Sequence, residues 1–285
     1  MNIHHLISST ILLAAITVGS ASAQQRTKFG ENAALRYWSA FAEMQDSAIT
    51  DQQAKELAAV LDGAARYDDS KFKELVEKNK PALETMIRAI AIPNCDWGVD
   101  YQLGSKAPVE YVRKALALGR LNVLYTFHLL MAGDKDKTMH VLAAGFRFSH
   151  DVANGGTLFA TVAAKTLLVQ HLRAAEFTLQ VAELSAAQRL VLQKVIGQLG
   201  PDGLDWHSAM KRELEIPLGL DPEAMARIIP SYLSALNNTS QLPGLQRMIA
   251  SAPRPIPEVI PNPKRVLEEK QDLTEKLLQA RSRFQ

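Results

Sequence analysis

Two stretches of this chain limit its fold before anything else is considered. Leu121–Gly133 carries no formal charge, and Leu158–Gln170 carries a single one, Lys165. Neither alternates apolar and polar residues at the period of a strand. A helical segment this apolar is stable in water only when most of its sides are covered. Both therefore read as central helices of a packed helical body. Composition agrees: 39 Ala and 37 Leu stand against 18 aromatic residues and 15 Gly in 285. Sandwiches and barrels need more β-branched and aromatic residues and more turns.

The sequence also marks where helices begin and end. Asn32–Met44 has apolar residues at helical spacing. Thr50-Asp-Gln-Gln53 and Ser185-Ala-Ala-Gln188 are capping boxes, and the first of these helices should stop at Gly63. A helix from Asp69 or Ser70 toward Ile92 contains Pro81, whose missing N–H predicts a kink or a break. Pro93–Ala107 reads as a loop, with Pro108 in the first turn of the next helix. That helix ends at Gly133. A partner runs from Lys137 to Val152. Asn154-Gly155-Gly156-Thr157 then breaks the chain, with Thr157 placed to cap the helix that begins near Leu158. Asp221-Pro222-Glu223 opens another helix. The expected class is all-α: stacked antiparallel helical hairpins, as a degenerate tetratricopeptide-like α-solenoid or an irregular helical bundle.

Three parts are expected. Residues 1–23 read as a signal peptide, with a largely apolar run Ile11–Val18 followed by the small-x-small pair Ala21 and Ala23. The run is too short for a transmembrane helix, which needs about 20 residues. Residues 24–252 form the helical domain. Residues 253–285 hold five prolines between Pro253 and Pro263, read as an extended linker, and then a terminal amphipathic helix. The expected location is periplasmic or extracellular. Cys95 is the sole cysteine, so stability rests on the core rather than on an internal disulfide. The formal charge is +2, too small a surplus for a nucleic-acid-binding surface.

Residues with chemical character cluster in Pro93–Tyr101. Cys95, Asp96, Trp97, Asp100 and Tyr101 place a thiol, two carboxylates, an indole and a phenol in one loop. They read either as a binding loop or as a plug in which Trp97 fills a gap and Asp96 caps turn amides. His150 and Asp151 stand beside the glycine break, where an imidazole and a carboxylate at a helix N-terminus could bind an anion or move a proton. His128 and His140 lie symmetrically about Asp134, but no third ligand at metal spacing accompanies them. There is no G-x-S-x-G, P-loop or G-x-G-x-x-G motif. No catalytic residue, metal or cofactor is assigned.

Asn32-Ala33-Ala34-Leu35-Arg36-Tyr37-Trp38, together with Cys95-Asp96-Trp97-Gly98-Val99-Asp100-Tyr101, resembles a group of uncharacterised exported helical proteins from bacteria. The likeness extends through Val109–Phe177 and implies a signal peptide and an all-α hairpin fold, with no activity. The expected function is a non-enzymatic interaction or scaffold protein of the cell envelope or exterior, meeting a protein partner through its helical surfaces or its C-terminal helix. The alternative is an exported hydrolase or small-ligand binder that uses the Cys95–Tyr101 loop with His150 and Asp151.

Overall fold

The computed structural model describes residues 31–45, 49–107, 109–216 and 220–284. The signal peptide expected at 1–23 and the helix start expected at Pro108 lie outside these residues. Among the described residues there is no β-strand; one isolated bridge pairs Asn32 with Asn94. The fold is all-α.

Local chemistry sets most helix ends. Asn32 caps α1 (Ala33–Glu43) by accepting the Ala34 amide. Thr50 and Gln53 form the expected capping box on α2 (Asp51–Leu61), and Gly63 comes just after with φ 72°. Only glycine adopts that left-handed conformation cheaply. A short 3-10 turn, Asp69–Lys71, precedes α3 (Lys73–Ala89). Pro81 lies within α3 without dividing it. It sits on an exposed face, where water can take the carbonyl that loses its N–H partner, while Ala82, Leu83 and Met86 bury the opposite face completely.

The centre consists of α4 (Glu110–Met131), α5 (Lys135–Ala153) and α6 (Leu158–Val181), each packed on the other two. The charge-poor stretches fall here, and Leu121 to Phe127 are all buried. Gly133, at φ 80°, and the capping Asp134 turn α4 into α5. Around this centre α1 packs on α3, and α3 on α4. α7 (Ala186–Gln198) packs on α5, and α8 (Trp206–Glu215) on α6. α9 (Pro222–Asn237) and α10 (Leu242–Ala250) continue the body beyond α8.

The proline-rich segment is not an extended linker. Ile256–Val259 forms a helical turn, α11, with Ile256 buried. Ile256 and Ile260 find apolar cover against the body, and burial outweighs the extended preference of the prolines. The final helix, α12 (Pro263–Phe284), docks on α6, α7 and α10. Leu273, Leu277 and Ala280 are completely buried. Lys165, the one charge in the second central stretch, reaches Glu269 at 2.5 Å and Asp272 at 2.6 Å on α12. The charge that interrupts the apolar run thus holds the terminal helix. No helix among the described residues is long and apolar enough to cross a membrane.

Candidate functional site

The loop between α3 and α4 folds onto the start of α1. The Ala33 amide donates to Asn94 O at 2.8 Å, and the Asn32 side chain both donates to Asp96 O (2.8 Å) and accepts the Asp96 amide (2.9 Å). Asp96 Oδ1 accepts the amide of Gly98, which sits at φ 66°. Asp96 is therefore an exposed turn cap. Asp100 does the same for the Gln102 amide (3.0 Å) at the start of a 3-10 turn, Tyr101–Lys106.

Trp97 is only 7% exposed. Its ring stacks on Tyr111 at 4.3 Å, Tyr37 at 5.7 Å and Phe41 at 6.0 Å, and Trp38 meets it edge-on. Its indole N–H donates to the Asp151 carbonyl at 2.7 Å. The Cys95 thiol points at the same carbonyl at 3.7 Å. Burial, reinforced by the Asp151 charge, raises the thiol's pKa far above the ordinary range, so it stays protonated.

The Asp151 carboxylate is 1% exposed. Tyr37 Oη donates to Oδ2 at 2.7 Å, and Arg147 Nε donates to Oδ2 at 3.1 Å. Nε is also 3.0 Å from Oδ1, which receives no well-aligned hydrogen bond. Burial first, and the neighbouring carboxylate second, push the Tyr37 phenol well up. Arg147 also donates to Pro93 O at 2.7 Å, and Asn154 Nδ2 to Cys95 O at 2.8 Å. This junction joins α1, the α3–α4 loop and the C-terminal end of α5.

Of the loop and histidine candidates, Cys95, Trp97 and Asp151 meet, in a packed interior. Asp96 and Asp100 face solvent. Tyr101 donates to Gly155 O at 3.0 Å, with Arg212 over its ring at 5.3 Å. His150 turns outward, half exposed, its Nδ1 4.0 Å from Asp151 Oδ1. Sequence reasoning missed Tyr37, Arg147 and Asn154. Arg147 and Asp151 stand four apart on one helix, a spacing that does signal an ion pair.

The anion reading of the glycine break meets a resident acid. The Leu158 amide at the start of α6 donates to Glu213 Oε2 of α8 at 3.0 Å, and Arg212 donates to Gly156 O at 3.1 Å. Thr157 stands at the N-cap of α6, but its side chain makes no capping hydrogen bond. The chain's own carboxylate fills the place at the helix N-terminus where an anion would bind. Burial raises the Glu213 pKa, against the pull of the Leu158 amide and the Thr157 hydroxyl.

The remaining histidines have separate surroundings. His128 Nδ1 lies 2.9 Å from Asp69, and its Nε2 3.4 Å from Glu77. His140 is exposed. His171 is completely buried, with Nε2 3.0 Å from Asn122 Oδ1 and Nδ1 within reach of Leu167 O and Ser149 Oγ. Desolvation lowers its pKa to about 4, so the ring is neutral at pH 7. Among the described residues no three His, Cys, Asp or Glu side chains gather as metal ligands.

No protein-family model matches the chain, and comparisons with curated proteins and with solved structures give no significant match.

Proposed function

We propose that this protein is an exported, non-enzymatic helical scaffold of the cell envelope or exterior, working through its helical surfaces. One observation carries the reading: the loop's reactive groups are spent on holding helices together. The Asp151 carboxylate is enclosed by Tyr37 and Arg147, its carbonyl takes the Trp97 indole and the Cys95 thiol, and Cys95 is held protonated. A hydrolase using these groups needs them to face substrate. The contacts of α4 with α5 and α6, and of α5 with α6 and α7, support a degenerate tetratricopeptide-like stacking of hairpins. Export rests on the Ile11–Val18 run and the Ala21 and Ala23 pair.

Large apolar side chains left in solvent offer contact points, among them Phe159 at the start of α6 and Leu190 on α7. A photo-crosslinking residue placed at Phe159 or at Leu190 in living cells should give a discrete adduct in the envelope or exterior fraction. Recovery of the protein solely as an uncrosslinked cytoplasmic species would overturn both export and the scaffold role.

A further inference from the structure

A half-open cleft of about 500 Å³ lies between the C-terminal end of α3, the outer side of α5 and α7. Its apolar lining includes Ile90, Phe146, Val195 and Leu199. Arg147, His150 and Lys194 supply its ionisable groups, with no carboxylate among the lining residues. Residues 147 and 150 share one face of α5, and residues 191, 194, 195 and 198 share one face of α7. Both helices therefore present apolar and basic residues to the same space. Lys194 has no ion pair among the described residues. Arg147 spends Nε on Asp151 and one donor on Pro93 O, and its partly exposed guanidinium keeps further N–H groups for a ligand. Asp151 lies behind Arg147, shielded from the cleft.

We infer that this cleft binds a medium-chain aliphatic carboxylate. The chain lies along Ile90, Ala143 and Val195, and the head group sits between Lys194 and Arg147. Size and charge decide the class. The volume falls within the range of small-ligand sites, roughly 300–1,000 Å³, and is too small for a partner helix. The ionisable lining groups all carry or can gain positive charge, so an anionic head is matched and a cationic one opposed. Apolar walls leading away from those groups match a chain of several methylenes. The inference stands apart from the scaffold role and needs none of its partners.

Calorimetric titration of the purified protein with decanoate, hexanoate, acetate and decyltrimethylammonium tests it. Decanoate should bind saturably with one site. Affinity should rise from hexanoate to decanoate by up to about fourfold per methylene, and acetate and the C10 cation should not bind. Lys194→Glu reverses a solvent-exposed charge and should weaken decanoate by roughly tenfold or more, the scale of a charged hydrogen bond. Val191→Trp, at the exposed rim, should block the cleft while leaving the helical circular dichroism unchanged. Absence of saturable decanoate binding, equal binding of the C10 cation, or wild-type affinity in either variant overturns the inference.

Discussion

Asp151 shows how much one side chain can organise here. Its carboxylate and its carbonyl serve different partners, so α1, the α3–α4 loop and α5 share a single anchor. Asp151→Asn keeps the shape and removes the charge facing Arg147. The predicted loss is about 2–3 kcal/mol, less than for a fully buried pair because Arg147 still reaches water. A fall in the urea midpoint at constant m-value measures it. His171 gives a pH signature. Its folded pKa of about 4 lies below the ordinary 6.5, so between these values the unfolded chain binds the proton and the folded one does not. Stability is therefore full above about pH 6.5 and falls as pH drops toward 4, by about 3 kcal/mol in all. Unfolding free energies at pH 7 and pH 4.5 should differ less in His171→Gln than in the native protein. The density of chemical groups in Cys95–Tyr101 is plain from the sequence. Tyr37 as the partner of Asp151 is not, since nothing periodic links residues so far apart.

Within the helices, two glycines with the same intrinsic helix propensity should respond in opposite ways. A Cβ on Gly145 of α5 would lie 2.3 Å from the His171 ring and 2.4 Å from Asn122 Oδ1. Gly145→Ala should destabilise by about 1–3 kcal/mol through overpacking, despite alanine's better helix propensity. A Cβ on Gly197 of α7 meets nothing within 4 Å. Gly197→Ala should stabilise by about 0.5–1 kcal/mol. Thermal melts of the two variants should move to opposite sides of the native midpoint. Caps are legible in sequence because their chemistry is local: Thr50 with Gln53, and Ser185 with Gln188, need only their own turn. Pro81 leaves α3 unbroken, and the prolines from 253 to 263 include a helical turn in place of the expected extended linker, because their conformation depends on which face meets the body. Thr157 holds the expected cap position on α6, but its side chain makes no capping hydrogen bond, while Glu213, distant in sequence, takes the Leu158 amide.

Across the molecule, the charge-poor stretches mark the centre correctly, since burial follows from composition whatever the topology. The place of α12 is less legible, because a narrow apolar stripe fits either the chain's own body or another protein. The stripe lies on the body, and Leu277 at its middle is completely buried. Leu277→Ala should cost about 2–5 kcal/mol. Denaturation tracked by tryptophan fluorescence and by circular dichroism should then still coincide, if α12 unfolds with the rest.

The long reach of two polar contacts bears on how the chain acquires its structure. Tyr37 bonds to a residue 114 positions later, and Lys165 to one 104 positions later. Helical proteins usually fold fast because their contacts are local, and distant closures slow them. Here α4, α5 and α6 are contiguous and can collapse first, while both ends of the chain must return to that nucleus. As the chain emerges from its N-terminus, α1 can pack on α3 as soon as residue 89 has followed it, but the Tyr37 hydroxyl has no partner until Asp151 has emerged as well. The junction around Tyr37 is therefore the part of the α1–α3 pair completed last, and the place from which misassembly would start.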